Sequence, residues 1–281
     1  MEIIKNKSFD EERALYGKHD ILLENCSFDG IKDGESACKE CQNVQVKQSY
    51  CNLRYPFWHN KKLLIDSTTL SENCRAAIWY SKSINIDNSN LLGIKALREC
   101  KNITINNCKI ISPEFAWSSK NLVLTNSNAE SEYFMLRCEN FKLNNFFLNG
   151  KYSFQYVKNG LIENSKFETK DAFWHAKNII IKDSILNGEY LAWYSKNLTL
   201  INCSITGTQP FCYCKNLKLI NCKMINTDLS FEKSQVHATI INKMDSIKNP
   251  YKGKIIVKDV KEIIRDDKRA KAKIIKKKEA F

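Results

Sequence analysis

The chain has 281 residues, of which 43% are hydrophobic and 27% charged, and a formal net charge of +13 at pH 7. That length permits a sizeable core in one or two domains, and no window is apolar enough for a membrane-spanning helix, so no membrane partner is expected. Residues 248–281 hold 13 Lys or Arg against 5 acids, and residues 1–247 carry only the remaining +5. Because the charge is concentrated at one terminus, the composition argues against a nucleic-acid partner.

Residues 1–17 are predicted to form an N-terminal cap. The segment Ser8-Phe9-Asp10-Glu11 has the spacing of a capping box, which predicts a short helix over the first repeat. Repeat folds need such a cap because a terminal repeat otherwise exposes its apolar side. The N-terminus lacks the basic stretch and apolar run of a secretion signal, so a cytoplasmic location is expected.

A repeat of 19 residues fills residues 18–240. The phrase KNLTLINCSI at 196–205 returns as KNLKLINCKM at 215–224, and we call the second residue of this phrase the anchor. Apolar residues one and three places after the anchor, with a polar residue between them, predict a strand with one buried face. Five places after the anchor most repeats have Asn, which is typical of a turn with left-handed backbone. The anchors are Asp20, Asn43, Lys62, Ser83, Asn102, Asn121, Asn140, Asn159, Asn178, Asn197 and Asn216, with a last one near Ser234.

The length of the repeat selects the fold class. Nineteen residues are too few for a β-α-β unit, which needs roughly 30, and no helical period is sustained. The repeat therefore predicts an all-β fold, a right-handed, single-stranded parallel β-helix of about 12 coils with about 19 residues per coil. No Gly-, Pro- or Ser-rich linker interrupts it, so we expect residues 1–281 to form a single domain.

The 12 cysteines recur mainly in two slots, six places after the anchor and two places before it. Other coils have Ser or Ala in these slots, which predicts that the cysteines are small buried fillers. The segment Cys38-Lys39-Glu40-Cys41 has a metal-like spacing, but no second such pair lies at a zinc spacing. We therefore expect neither a disulfide framework, a metal site nor a cofactor.

Residues 241–281 are predicted to form a C-terminal β cap and a basic tail. The first half of this segment alternates apolar and charged residues, as strands that close the end of the β-helix would. The last basic run is more typical of a solvated terminus than of a binding arm.

The segment before each anchor has an unusual composition. Residues five places before the anchor are apolar, and residues three places before it are often Tyr or His. Two adjacent outward rows do not fit one ideal strand, so a bulge or turn must intervene. Three interpretations stay open: the aromatic residues seal a corner, line a ligand groove, or form a protein interface. All five tryptophans lie four places before the anchor, in a column shared with Arg98 and Gln155: Trp58, Trp79, Trp117, Trp174 and Trp193.

The densest group of aromatic and charged residues spans consecutive coils and is the predicted site. Aromatic rings stack on sugar rings, and charged groups bind hydroxyls or uronates, so an acidic oligosaccharide is the expected ligand. The acid pairs Glu114 with Glu132, and Asp171 with Glu189, lie on adjacent coils at about 5 Å, the separation of a retaining glycosidase. The predicted site consists of the stacking residues Trp58, Trp79 and Trp117, the anion contacts Arg75, Lys95 and Arg98, and the acid or base residues Glu99 and Glu114.

Several segments outside the bare repeat resemble a bacterial family designated a domain of unknown function, DUF3737. The segments are FDEERALYG (9–17), DGIKDGESACKEC (29–41), CRAAIWYS (74–81), GIKALRECKNI (93–103), SPEFAW (112–117) and EYLAWYSKNLTL (189–200). The resemblance covers nearly the whole chain and implies the pectin-lyase-like right-handed β-helix superfamily. It implies no particular reaction, because the grouped aspartates and the calcium-and-arginine centre of the superfamily's polysaccharide lyases and hydrolases have no counterpart here.

Two classes of function follow from the sequence. The first is a carbohydrate-binding or carbohydrate-processing protein that uses the aromatic and charged residues. The second is a noncatalytic scaffold that binds another protein, or a second copy of itself, through the same residues. The sequence leaves open whether the protein is an enzyme.

Overall fold

The computed structural model describes residues 1–277 and shows strands and turns, with no helix among those residues. Its contacts divide the chain into two compact units, Met1–Lys142 and Leu143–Phe281, and each is described by itself, the second through residue 277. The single-domain interpretation stays a prediction.

The first unit consists of stacked coils whose long strands pair in parallel. Ile84 pairs with Ile103, and Ile103 pairs with Leu122, so equivalent residues of successive coils lie side by side at a step of 19 residues. Strand β16 (Glu139–Lys151) contains the boundary with the second unit. The strands of the first unit are β1 (Glu2–Lys5), β2 (Ser8–Phe9), β3 (His19–Glu24), β4 (Ser27–Phe28), β5 (Gln42–Lys47), β6 (Tyr50–Cys51), β7 (Lys61–Asp66), β8 (Thr69–Leu70), β9 (Ile78–Trp79), β10 (Lys82–Asp87), β11 (Asn90–Leu91), β12 (Leu97–Arg98), β13 (Lys101–Asn106), β14 (Lys109–Ile111) and β15 (Lys120–Glu132).

The second unit repeats the same arrangement. Ile179 pairs with Leu198, and Leu200 pairs with Leu219, again with parallel strands. Its strands are β17 (Lys158–Glu163), β18 (Lys166–Lys170), β19 (Lys177–Lys182), β20 (Ile185–Asn187), β21 (Lys196–Ile201), β22 (Ser204–Thr206), β23 (Leu217–Ile225), β24 (Gln235–Lys248), β25 (Lys252–Ile264) and β26 (Lys273–Lys276).

The predicted fold class, an all-β right-handed parallel β-helix with about 19 residues per coil, is confirmed. The number of turns is about 14 rather than the predicted 12, because the paired strands at the two termini add coils. The apolar residues one and three places after each anchor point inward, as Ile103 and Ile105 show with at most 1% exposure. Burying one such side chain contributes about 1.5–3 kcal/mol. Because no single coil can bury its own apolar side, this contribution is gained only by stacking.

Asparagine occupies the corners because the backbone there is left-handed. Asn102 has φ 58° and Asn107 has φ 52°, a region that costs other L-residues about 1–2 kcal/mol. The side chains also bond between coils: Asn121 Nδ2 donates to Asn102 Oδ1 at 2.8 Å in the first unit, and Asn197 Nδ2 donates to Asn178 Oδ1 at 2.8 Å in the second. Each coil therefore positions the corner of the next.

Serine and cysteine share two buried columns because both side chains donate to nearby backbone carbonyls, either of the preceding coil or of their own. Ser81 Oγ donates to the Phe57 carbonyl at 2.8 Å, and Cys100 Sγ donates to the Ile78 carbonyl at 3.2 Å. All 12 cysteines are buried and unpaired, and burial raises the pKa of Cys100 to about 11. These thiols are structural fillers.

The helix predicted from the capping-box spacing of Ser8 to Glu11 is wrong. Strand β1 pairs with β3, and Ser8–Phe9 pairs with Ser27–Phe28, so residues 2–9 already belong to a coil. The Phe9 ring stacks on Phe28 with centroids 5.1 Å apart. Strand pairing and apolar packing with the next coil outweigh the local capping preference. At the other terminus the structure forms strands β24 to β26, and the end of the predicted basic tail, residues 278–281, lies outside the described residues.

Candidate functional site

The segment before each anchor is a turn with left-handed residues seven and three places before the anchor, and from the coil of Trp117 onward a third lies five places before it. Glu114, Ala116 and Ser118 have φ of 59°, 61° and 55°, whereas Phe115 and Trp117 have negative φ. Consequently Phe115 and Ala116 are both buried, and Trp117 and Ser118 both reach the surface. This arrangement of φ replaces the one-in, one-out pattern of a strand and explains how two adjacent rows point outward.

The first unit contains a stack of side chains, Trp58, Trp79, Arg98 and Trp117, on four successive coils. The Trp58 and Trp79 rings are 5.1 Å apart at 4°. The Arg98 guanidinium lies between the next two rings, 5.2 Å from Trp79 and 5.5 Å from Trp117. We call these four residues the ring stack. Since members of the stack cover one another's faces, mainly their edges reach solvent.

Each indole N–H in the ring stack donates to a backbone carbonyl of the next coil. The acceptor of Trp79 is Lys95 at 2.8 Å, and the acceptor of Trp117 is Tyr133 at 2.8 Å. A buried or half-buried Trp normally finds such a partner. The rings therefore fasten successive coils together, which supports the interpretation that they seal a corner. Their predicted role as stacking platforms for a ligand stays a prediction.

The same column in the second unit follows the same rule. The Trp174 and Trp193 rings are 5.4 Å apart at 4°, and their N–H groups donate to Tyr190 and Gln209. Gln155, in the same column, donates from Nε2 to the Asp171 carbonyl at 3.0 Å. Each donor and acceptor are 16 residues apart, a spacing that the sequence interpretation missed.

Two ion pairs lie beside the ring stack. Lys95 Nζ is 3.5 Å from Glu114 Oε2, and Arg98 Nε is 3.5 Å from Glu99 Oε1. All four side chains are partly exposed, which limits each pair to about 0–1 kcal/mol. Arg98 Nε is buried and makes no hydrogen bond within residues 1–277, although the Glu99 carboxylate is nearby. Because Nε is buried, the donors that a ligand could reach are the Nη groups of this 35% exposed side chain.

The structure brings together seven of the eight predicted site residues through these contacts, and Arg75 is exposed four residues before Trp79 in the same turn. No contact of the Arg75 side chain connects it to the other seven among the described residues. Its role as an anion contact, and the acid or base roles of Glu99 and Glu114, stay predictions.

Asp171 in the second unit is a notable acid outside the predicted set. Burial raises the pKa of Asp171, the charge of Glu189 raises it further, and Lys170 lowers it. Asp171 occupies the edge position that Glu114 occupies in its own coil, seven places before the anchor. That shared position was the available sequence signal, but periodicity alone does not predict burial.

The loop of the longest coil is fixed by ion pairs with the next coil. Arg54 Nη2 contacts Asp33 Oδ2 at 2.8 Å and Glu35 Oε1 at 2.9 Å.

Across residues 1–277, no group of three or more His, Cys, Asp or Glu side chains could hold a metal ion. The same residues include no helix with the length and hydropathy needed to cross a membrane.

Solved structures similar to this chain are long β proteins at low identity. The surface adhesin PfbA of Streptococcus pneumoniae is 10% identical with a TM-score of 0.41, over 86% of this chain and 83% of that chain. A mutant tailspike protein of E. coli bacteriophage HK620, in complex with a hexasaccharide, is 10% identical with a TM-score of 0.41, over 96% and 68%. The A-module of the Azotobacter vinelandii mannuronan C-5 epimerase AlgE4 is 9% identical with a TM-score of 0.28, over 92% and 87%. With TM-scores this low, none of these likenesses supports an activity.

A search of curated proteins finds no match. A family model does match, over residues 2–276, and its description is "Protein of unknown function (DUF3737)". This result confirms the resemblance found in the segments outside the repeat, and the chain belongs to that family.

Proposed function

We propose that the first unit binds an acidic oligosaccharide beside the ring stack. The observation that carries this proposal is the state of Arg98. Its guanidinium faces contact two indole rings, at 5.2 and 5.5 Å, and its buried Nε lies 3.5 Å from Glu99 Oε1. The side chain is 35% exposed, and its Nη groups donate no hydrogen bond among residues 1–277. Stacking uses the faces of the guanidinium plane and leaves the in-plane N–H groups for a carboxylate.

The surroundings of Arg98 suit a sugar acid. Lys95 supplies a second cation, and its side chain is 32% exposed. The carboxylates of Glu99 and Glu114 accept hydrogen bonds from sugar hydroxyls in the same neighbourhood. Successive coils are about 4.8 Å apart, so these alternating charges can contact neighbouring sugar residues of one chain.

Binding is tested by titrating the protein with oligogalacturonate and oligomannuronate in a calorimeter. Arg98→Gln removes the charge and is expected to weaken binding at least tenfold, whereas Lys109→Gln removes an exposed charge outside this group and should leave it unchanged. Binding should also weaken as salt is raised, because the cations make the contact. Equal affinity for both variants would refute the proposal.

A finer part of the proposal is chemistry at the glycosidic bond by Glu99 and Glu114. Each carboxylate is paired with a cation, Lys95 or Arg98, that in this proposal binds the uronate, so both would lie near the ligand. If they act as acid and base, Glu99→Gln and Glu114→Gln should each abolish product formation, measured by chromatography, while binding is retained. Wild-type protein that binds but releases no product would remove this part and leave the binding proposal intact.

A noncatalytic scaffold is the second candidate, and the second unit favours it. Its coils present the stacked rings Tyr156, His175, Tyr194 and Tyr213, with centroids 4.7 to 5.1 Å apart. Tyr194 is 47% exposed, and Tyr is enriched at protein interfaces. A homo-oligomer through this surface should be seen by analytical ultracentrifugation and should dissociate in Tyr194→Glu. A monomeric wild type would exclude self-association as the function.

The cytoplasmic location also belongs to the proposal. It is supported by the 12 unpaired, buried cysteines, which suit a reducing compartment. Fractionation of the native host with an antibody to this chain is the direct test.

A further inference from the structure

A second groove lies in the first unit, on the outer face of the long strands. It has a volume of about 500 Å³, within the range of sites that hold small ligands. It follows the anchor row over five coils, a distance of roughly 19 Å from four intervals of ~4.8 Å. The anchor row of the groove is Asn43, Lys62, Ser83, Asn102 and Asn121.

Along the groove, the hydrogen bonds between anchor side chains of successive coils are interrupted. Asn121 donates to Asn102, but the row then meets Ser83 and Lys62, which cannot continue the amide-to-amide pattern. Among residues 1–277 the Asn102 amide nitrogen, the Ser83 hydroxyl and the Lys62 ammonium donate no hydrogen bond to the protein. In the second unit, by contrast, Asn216 donates to Asn197 and Asn197 to Asn178 without a break. The short Ser83 side chain leaves space as well as unused polar groups.

The second row of side chains makes the lining of the groove partly polar and partly apolar. Two places after each anchor, three outward side chains are polar and two are apolar: Gln45, Asn85 and Thr104, and Leu64 and Val123. Lys62 is the only charged residue that lines the groove. Amides and hydroxyls bind sugar hydroxyls, and Leu64 and Val123 can contact the C–H faces of sugar rings. This set suits a neutral, hydroxyl-rich ligand.

We propose that this groove binds a linear neutral oligosaccharide, with its long axis across successive coils. The polar groups repeat at the coil spacing, and a β-1,4-linked sugar chain advances by nearly the same distance per residue. Such a ligand therefore meets an equivalent set of donors and acceptors at each coil. The inference goes beyond the proposed function, because this site uses neither the ring stack nor its ion pairs.

One substitution separates ligand binding from stability. Ser83 has φ 59°, a conformation that Asn tolerates better than Ser. In Ser83→Asn the introduced amide can accept from Asn102 and fills the gap in the row. We expect a higher thermal midpoint together with at least tenfold weaker oligosaccharide binding, opposite changes that a folding defect would not produce.

The experiment uses the full chain and hexasaccharides of β-1,4-linked glucose, xylose and mannose, with affinity measured by calorimetry. Asn102→Gly removes the unused amide while tolerating φ 58°, and should also weaken binding at least tenfold. Asn178→Gly removes an amide from the unbroken row of the second unit, and should leave the affinity unchanged. Wild-type binding that both first-unit variants lose would support the groove.

Three outcomes would overturn the inference. First, the wild-type protein binds no neutral hexasaccharide. Second, it binds one, but Ser83→Asn and Asn102→Gly do not change the affinity. Third, Arg98→Gln loses the binding and Ser83→Asn keeps it. The last result would place the neutral ligand beside the ring stack. Acidic oligosaccharide binding is measured in parallel, so failure of the groove and failure of the proposed function are distinguished.

Discussion

Replacing Ser81 with Ala should destabilise the first unit more than its small change in volume suggests. Ser81 is 0% exposed. Its Oγ accepts the Asn60 N–H at 2.9 Å and donates to the Phe57 carbonyl at 2.8 Å. The substitution leaves one buried donor and one buried acceptor with a lost partner, and each such group costs about 1–3 kcal/mol.

The expected loss for Ser81→Ala is therefore about 2–6 kcal/mol, which lowers the thermal midpoint by roughly 4–12 °C at about 2 °C per kcal/mol. Ser81→Cys is the matched control, because Cys100 occupies the equivalent slot in the next coil and donates to Ile78. This variant keeps the donor and should lose less than half as much. Calorimetry gives the midpoint of each variant.

Amide hydrogen exchange gives a local test of the same reasoning. The Asn60 N–H should exchange faster in Ser81→Ala than in wild type, because its acceptor is removed, while amides of the second unit keep their rates. An Asn60 amide that stays fully protected, together with an unchanged midpoint, would refute the idea that Ser81 stabilises the chain through these bonds.

Three further substitutions in the second unit test its corners, fillers and acids. Asn197→Ala should cost about 1–2 kcal/mol, because Ala at φ 56° is strained, whereas Asn197→Gly should cost less by chemical denaturation. Cys203→Ser should change the midpoint little, because neighbouring coils already have Ser in this slot; a large loss would show that packing of the sulfur dominates. Asp171→Asn should raise the midpoint at pH 7 but not at pH 3: the raised pKa of Asp171 means that its ionisation costs folded-state stability as pH rises above 3.8, its ordinary value. Equal midpoints of wild type and Asp171→Asn at pH 7 would contradict that sign.

The fold could be predicted because every repeat has the same pattern of strand, corner and filler residues. Alternating apolar residues, Asn corners and Ser or Cys fillers each indicate one parallel β-helix, and agreement between such signals specifies a fold. The N-terminal helix was wrong because a four-residue capping signal says nothing about strand pairing with a distant segment. Residues 2–9 form a coil through contacts with residues 21–28, which are invisible to a local pattern.

The sequence could predict which site residues are neighbours, but not how their side chains are oriented. Coil spacing alone placed Trp79, Arg98 and Trp117 together. It could not show which residues of the preceding turn have positive φ, because φ depends on how successive turns hydrogen-bond. Nor could it show that the indole N–H groups already donate to backbone carbonyls and that the rings stack on one another. The sequence therefore predicted more exposed ring surface than the structure has.

Arg98 differs from the tryptophans and Gln155 of the same column in how it uses its side-chain N–H groups. All five tryptophans and Gln155 give a side-chain N–H to a backbone carbonyl 16 or 18 residues later. Arg98 occupies the same column, carries more donors than any of them, and leaves Nε without an acceptor. Proteins tend to depart from their own local consistency at functional sites. Lys39 and Leu136 also occupy this column, so a tryptophan is not required at every coil. The proposed function accounts for Arg98 through a ligand carboxylate that contacts the N–H groups on its 35% exposed side chain, because its Nε is buried beside Glu99.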